Sequence, residues 1–170
     1  MKIDKGILGV AGEFAVAAEL CRRNIYAQPT FGHQKRLDLL AFGSGGEMLR
    51  LEVKAKQGRD WPNCRGIAGR GVFLVFVDFE GKAENERPDF YVLSSNDWRR
   101  VVEVASERYK AKHPDRRVRL TDDNVLVLPD EVNAQGKEYV GCGVRPEDIQ
   151  PHKEKWEKIA QALRGSDPQQ

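Results

Sequence analysis

The chain of 170 residues has the length of one compact domain, and its 40% hydrophobic and 32% charged residues are ordinary for a soluble globular protein. No run of about 18 apolar residues is present, so no membrane span is predicted, and the first residues lack the apolar stretch of a secretory signal. A net charge of +2 indicates no partner by itself, but six basic against two acidic residues between Arg50 and Arg70 suit either a phosphate-bearing partner or a solvated loop.

The three cysteines lie far apart in the sequence and form no CxxC pair: Cys21, Cys64 and Cys142. This spacing argues against a structural zinc site and against a disulfide framework. We therefore expect three small buried thiols in a protein of the reducing cytoplasm.

The N-terminal half predicts one helix followed by a hairpin. Residues 6–23 are apolar around most of the helix circumference, which predicts a buried helix, and Asn24 suits its end. A short extended segment at 25–31 and a polar turn at 32–36 follow. The segments "RLDLLAFG" and "MLRLEVKAKQ", joined by "GSGGE", predict an antiparallel hairpin. The second strand alternates, so its charged side chains share one face: Arg50, Glu52, Lys54 and Lys56.

The second half predicts three further strands and two helices. Residues 57–71 predict a loop, and "VFLVFVDF" predicts a strand at the centre of a sheet covered on both faces. The strand "DFYVLSS" leads into a helix with a capping box at Ser94 and Asp97. Residues 113–145 predict little beyond a strand at 125–128, and "EDIQPHKEKWEKIAQALR", residues 147–164, predicts a last helix with Pro151 near its first turn. The order predicts a single α/β domain over residues 1–165, with a mixed central sheet flanked by helices, and a disordered tail at 166–170.

Three carboxylates and a lysine fall in or beside these apolar elements, where an unpaired charge is costly. Glu52 and Lys54 project from the same face of their strand, Asp38 lies near the start of the neighbouring strand, and Glu13 lies in the helix that packs on the sheet. A divalent cation would neutralise such a cluster, since Mg²⁺ is held by one or two carboxylates with waters and substrate oxygens. The pattern predicts Mg²⁺, with Mn²⁺ as its substitute, and chemistry at a phosphoryl group.

These residues resemble the PD-(D/E)XK nuclease superfamily, in particular its Holliday-junction-resolvase-like and restriction-endonuclease-like members. The matching segments are "GEFAVAAEL" with Glu13, "RLDLLAF" with Asp38, and Glu52-Val53-Lys54. Leu37 stands where the family motif has proline, and the helix usual after the third strand is not evident in "WPNCRGIAGR". The resemblance covers residues 1–78 and implies a restriction-endonuclease-like core.

The resemblance also implies the roles of the individual residues. Asp38, Glu52 and the Val53 backbone carbonyl would bind Mg²⁺, Glu13 would complete the metal site by positioning its waters, and Lys54 would be the catalytic lysine. The predicted function is metal-dependent hydrolysis of phosphodiester bonds, of DNA in preference to RNA, with no membrane association. A homodimer is compatible with the resemblance. Phosphate-backbone contacts, which position a substrate without reading its sequence, are expected from basic and polar residues after the motif: Lys56, Gln57, Arg59, Arg65 and Arg70.

Each residue taken alone also has a simpler interpretation. Glu52 and Lys54 suit an ion pair on an exposed strand, Glu13 suits the rim of a partly exposed helix, and Asp38 suits a cap on the turn at Lys35 and Arg36.

Two further side chains have a structural as well as a functional interpretation, and the function of the whole chain has alternatives too. His33 suits a solvated loop as well as a catalytic base, and Trp61 suits the core as well as a platform for a base. For the whole chain, the alternatives are a nuclease fold that binds nucleic acid or protein without turnover, and an enzyme acting on nucleotides or RNA.

Overall fold

The computed structural model describes residues 2–30 and 37–164. The helices in these ranges are α1 (Lys5–Cys21), α2 (Ser95–Lys112), α3 (Pro146–Ile149) and α4 (Glu157–Leu163), with one 3₁₀ turn at Gln150–His152. The strands are β1 (Tyr26–Pro29), β2 (Leu39–Phe42), β3 (Met48–Lys56), β4 (Trp61–Cys64), β5 (Val72–Asp78), β6 (Asp89–Ser94), β7 (Arg119–Leu120), β8 (Leu126–Val132), β9 (Glu138–Val140) and β10 (Cys142–Val144). The turn predicted at 32–36, including His33, and the tail predicted at 166–170 lie outside the described residues.

A five-stranded mixed sheet with the order β1-β2-β3-β5-β6 organises the fold. Strand β3 pairs parallel with β5, and the other neighbours pair antiparallel. The mixed α/β architecture with flanking helices is thus confirmed. So is the β2–β3 hairpin, whose register pairs Leu39 with Leu51 and Phe42 with Met48. Every residue of β5 is buried, as its uninterrupted apolar sequence predicts.

Two hydrophobic cores cover the two faces of this sheet. On the first face, α1 and α4 pack over all five strands, with Val16, Leu20 and Ile159 at the contact. On the second face, a covering layer consisting of α2, α3, β4, β8 and β10 packs over β5 and β6. Trp61 and Trp98 are fully buried in that second core. The covering layer does not extend over β1 and β2, whose second-face residues are exposed or half-buried.

Helix α1 is not the fully buried helix that its composition predicts. Val16 and Leu20 pack on the sheet, but Ile7, Val10 and Phe14 are exposed. A helix that packs on one sheet can bury only the stripe facing that sheet, so apolar residues on the opposite side stay in solvent. Asn24 does adopt the expected left-handed conformation after the helix, with φ of 60°.

Beyond β3, the chain forms more and shorter elements than the sequence predicts. Residues 61–64 of the expected loop form β4, which pairs antiparallel with β10, so the chain passes from β3 to β5 through this strand instead of a helix. The capping box at Ser94 and Asp97 starts α2 as predicted. The last helix is divided into α3, the 3₁₀ turn and α4, because Pro151 lacks a backbone N–H and Glu154 has a positive φ of 56°. No helix of the described residues is long and apolar enough to cross a membrane.

Candidate catalytic site

The candidate site lies where β2 and β3 separate. Their pairing ends at Leu39 and Leu51, whereas β3 continues along β5 to Lys56. Asp38 stands at the point of separation. Its Oδ2 atom accepts a hydrogen bond of 2.6 Å from the Val53 backbone N–H. The carboxylate therefore satisfies a backbone donor that β2 no longer pairs, and this bond fixes Asp38 beside the Glu52-Val53-Lys54 segment.

Glu52 and Lys54 form an ion pair, with 3.6 Å between Lys54 Nζ and Glu52 Oε2. It differs from an ordinary surface pair because the Glu52 side chain is only 6% exposed, whereas that of Lys54 is 39% exposed. Lys54 Nζ also lies 3.4 Å from the Val53 carbonyl oxygen, to which it donates. A buried carboxylate thus stands beside an ammonium group that still reaches solvent.

Glu13 reaches the same place from α1 because the helix approaches the sheet closely. Gly12 has no side chain, and a Cβ atom there would lie 2.8 Å from the Cβ of Ala55. The next residue, Glu13, is half-buried. Burial raises the pKa of Glu13, the negative charge of Asp38 raises it further, and Lys54 opposes both effects. Glu13 therefore lies near enough to Asp38 and Lys54 for their charges to act on it, and both of these residues adjoin Glu52.

Asp38, Glu52 and the Val53 carbonyl offer hard oxygen donors of the kind that Mg²⁺ binds. Within residues 2–30 and 37–164, however, no three histidine, cysteine, aspartate or glutamate side chains converge closely enough to hold an ion. Magnesium sites commonly use one or two carboxylates and complete the octahedron with water and substrate phosphate. The donor set fits that sparse type of site and does not fit a cage of three carboxylates.

The covering layer begins next to this group. Cys64 of β4 is buried, and burial together with Cys142 raises its pKa to about 12, while the nearby Lys54 lowers it. Trp61 is buried as well, which confirms the core interpretation of this residue. Cys64 and Cys142 match the expected buried thiols, whereas Cys21 is exposed. The candidate site thus lies at the border between the covered and the uncovered part of the second sheet face.

Lys56 is not part of a basic surface, which corrects the sequence interpretation. Its side chain is 3% exposed, and its Nζ atom lies 2.7 Å from Asp78 Oδ1 and 2.8 Å from Glu80 Oε2. The ring of Trp61 covers it at 4.8 Å. The alternation along β3 places Lys56 on the same face as Lys54, but the covering layer closes over it, so its ammonium cannot reach a phosphate.

The other predicted phosphate-contact residues differ in their environment. Gln57 is half-buried, and its Oε1 atom accepts a 2.8 Å hydrogen bond from the Ile3 backbone N–H, which ties the N-terminal segment to the end of β3. Arg59, Arg65 and Arg70 are exposed. Arg50 is exposed too and adjoins Arg70, since its backbone N–H donates to the Gly71 carbonyl oxygen.

A second-face surface beside the site was not predicted from the sequence. We call it the open sheet face; its members are the outward residues of β1, β2 and the first half of β3, namely Tyr26, Gln28, Leu40, Phe42, Met48 and Arg50. The alternation of side chains in "YAQP" and "LLAF" indicates this surface, because Ala27, Leu39 and Ala41 are buried while their neighbours in the strand point outward. The segments are too short for that alternation to stand out in the sequence.

Comparison with known proteins adds one result on the fold. No family model matches the sequence, and no curated protein matches it either. Among solved structures, the fold is similar to that of a bacterial homing endonuclease, I-Ssp6803I, with a TM-score of 0.50 over 96% of each chain and 13% sequence identity. At this identity the similarity concerns the fold, so the mixed sheet with its flanking helices is an architecture that a nuclease also uses.

Proposed function

We propose that this protein is a nuclease of the PD-(D/E)XK type that hydrolyses phosphodiester bonds of DNA with the help of a divalent metal ion. The observation that carries the proposal is the hydrogen bond from Val53 N–H to Asp38, which sets Asp38 beside the Glu52–Lys54 pair at the end of the hairpin. The fold similarity to a homing endonuclease supports it.

The residues have separate tasks in the proposed reaction, in which water attacks phosphorus in line with the departing oxygen. Asp38, Glu52 and the Val53 carbonyl would hold the metal ion, which when bound would supply positive charge near the phosphoryl oxygens. Lys54, the one cation among the four side chains, is 39% exposed and offers its ammonium to the attacking water and to the charge that develops in the transition state. Glu13 accepts hydrogen bonds from water and orients it.

The exposed arginines around the site support a polyanionic substrate. Arg50, Arg70, Arg59 and Arg65 are exposed, and arginine forms strong charge-assisted bonds with phosphate. These contacts would position the DNA backbone, and their loss would weaken binding more strongly at low salt, where surface charges are less screened.

A cleavage assay tests the proposal with plasmid, branched and single-stranded DNA, in Mg²⁺, in Mn²⁺ and in a chelator. The wild type should cut at least one substrate with metal and none with chelator. Lys54→Ala should lower the rate roughly 10²–10³-fold, the usual cost of removing one group that stabilises the transition state. Lys110→Ala, which removes an exposed lysine near the end of α2, serves as the control and should cut like the wild type. Equal rates for wild type and Lys54→Ala would contradict the proposal.

A binding module of the same fold is the second candidate function. The observation that favours it is the lack of three converging ligand side chains among the described residues. Such a protein would bind DNA with an affinity that falls steeply with salt and would cleave no substrate in either metal. The same assay combined with a binding titration therefore separates the two functions.

A further inference from the structure

The open sheet face continues directly from the candidate site. Tyr26, Phe42 and Met48 form one cross-strand row, and Gln28, Leu40 and Arg50 form the next row towards Glu52. With about 3.3 Å per residue along a strand, the outer row lies about 13 Å from Glu52. A bound partner that reaches the site along these strands therefore crosses both rows.

The outer row is aromatic and accessible. Tyr26 is 62% exposed, and its ring packs against that of Phe42 with 5.7 Å between centroids. Met48, which pairs with Phe42, is exposed as well. Monomeric proteins seldom leave contiguous apolar groups in solvent without a use for them, so this row is a candidate contact surface.

The inner row supplies positive charge at the same place. Arg50 stands between the aromatic row and Glu52 on β3, and its backbone bond to Gly71 places Arg70 just before the start of the neighbouring strand β5. Both arginines are exposed. Aromatic faces beside guanidinium groups match a partner that combines flat apolar rings with phosphates, which is the chemistry of a nucleic-acid strand.

The aromatic row distinguishes an unpaired strand from a duplex. Bases in a duplex are stacked on one another and present only their edges in the grooves, whereas an unpaired strand can stack its bases on side-chain rings. We propose that the open sheet face binds a single-stranded segment of DNA, with bases on Tyr26 and Phe42 and phosphates at Arg50 and Arg70. This inference rests on the proposed function and names its substrate class: DNA that contains an unpaired strand next to the scissile phosphate.

A binding titration without cleavage tests the inference. A labelled single-stranded oligonucleotide and its duplex are titrated by fluorescence anisotropy in the presence of a chelator. The wild type should bind the single strand more tightly than the duplex, and Tyr26→Ala should bind the single strand roughly tenfold more weakly, as expected for the loss of one stacked base. Phe14→Ala is the matched control and should leave binding unchanged. Phe14 is 55% exposed on α1, the helix that covers the first face of the sheet, whereas the open sheet face belongs to the second face.

Two further measurements keep the result decisive. Tyr26→Trp should show fluorescence quenching on addition of oligo(dT) and none on addition of duplex, a readout that needs no comparison between affinities. Equal affinity for single strand and duplex, with Tyr26→Ala unchanged, would overturn the inference. So would a shift from dimer to monomer on Tyr26→Ala in light scattering, because the face would then be a protein interface.

The inference and the proposed function fail in different ways. Cleavage of duplex DNA by a protein that does not prefer single strands would leave the nuclease proposal standing and remove the inference. Binding of the single strand through Tyr26 without cleavage in Mg²⁺ or Mn²⁺ would leave the binding surface standing and remove the nuclease proposal, together with the scissile phosphate that the inference places beside that surface.

Discussion

Lys54 and Lys56 show how the same residue type on the same face of one strand takes two roles. Lys54 is 39% exposed beside Glu52, whereas Lys56 is buried between Asp78 and Glu80. The difference comes from the covering layer, since the ring of Trp61 lies over Lys56, 4.8 Å from its Nζ atom. An ammonium that is buried with its partners is structural, and one that reaches solvent is available for chemistry.

Lys56→Met should therefore lower the free energy of unfolding without changing a residue of the proposed catalytic site. It leaves the buried Asp78 carboxylate without the ammonium 2.7 Å away, and breaking a buried pair in this way costs about 3–5 kcal/mol in free energy of unfolding. Denaturant unfolding measures the loss.

Lys54→Met is the matched control for that measurement, because it removes the more exposed lysine from the same strand. It should lower the free energy of unfolding by less than Lys56→Met does, because the Lys54 side chain is 39% exposed and water can take the place of its ammonium beside Glu52. Adding Asp78→Leu to Lys56→Met should recover part of the loss, since the stranded charge is removed. A small effect of Lys56→Met alone would show that the buried pair does not stabilise the fold.

At the scale of single elements, the contact between α1 and β3 determines whether Glu13 belongs to the site. Gly12 faces Ala55 and Val53, and a Cβ at this position would lie 2.8 Å and 3.4 Å from their side-chain atoms. Such a distance is too short for two carbon atoms, so any side chain at position 12 must push the helix away from the strand. Glu13 follows Gly12 and would move with it.

Gly12→Ala should destabilise the protein by about 1–3 kcal/mol through this overpacking and should lower the proposed nuclease activity by displacing Glu13. Gly9→Ala, three residues earlier in the same helix, is the control. A Cβ at Gly9 meets nothing within 4 Å, so the better helix propensity of alanine should stabilise the protein by up to about 1 kcal/mol. Unfolding curves of the two variants that shift in the same direction would contradict the close-approach argument.

Sequence patterns predicted the elements whose signal is local. The β2–β3 hairpin, the buried strand β5 and the capping box of α2 follow from alternation, an unbroken apolar run and the Ser94–Asp97 spacing. The exposed stripe on α1 did not follow, because composition around a helix does not reveal how many neighbours it has. The division of the last helix depended on the positive φ of Glu154, for which glutamate gives no sequence signal.

At the scale of the whole molecule, the site follows from a sheet that is covered on one face and half-covered on the other. The covering layer comes from α2, which the sequence predicts, and from residues 61–67 and 126–149, where short irregular strands gave almost no periodic signal. The sequence could therefore group Glu13, Asp38, Glu52 and Lys54 by motif order, but it could not locate the border that separates Lys54 from Lys56. The same border leaves the open sheet face accessible beside the site.

Long-range ion pairs join α1 to the segments that precede β6 and α4, and they make the stability of the protein depend on pH. Glu19 of α1 is buried and accepts hydrogen bonds from Arg23 and from Arg87, which precedes β6. Arg87 also pairs with Glu154, ahead of α4. The hydrogen bond from Arg87 is the main cause that lowers the pKa of Glu19 to about 2, against a burial effect in the opposite direction.

Because the pKa of Glu19 is lower in the folded than in the unfolded protein, its stabilising effect is complete above the ordinary value of 4.5 and is lost as the pH falls towards about 2. Glu19→Gln should lower the free energy of unfolding by on the order of 2 kcal/mol at neutral pH, a value reduced for the partly exposed arginines. The difference from wild type should shrink to less than half near pH 3, in denaturant unfolding at a series of pH values. Glu107→Gln, at an exposed position of α2, should show no such pH-dependent difference, and a Glu19→Gln deficit that is equal at neutral and acid pH would exclude the ion-pair explanation.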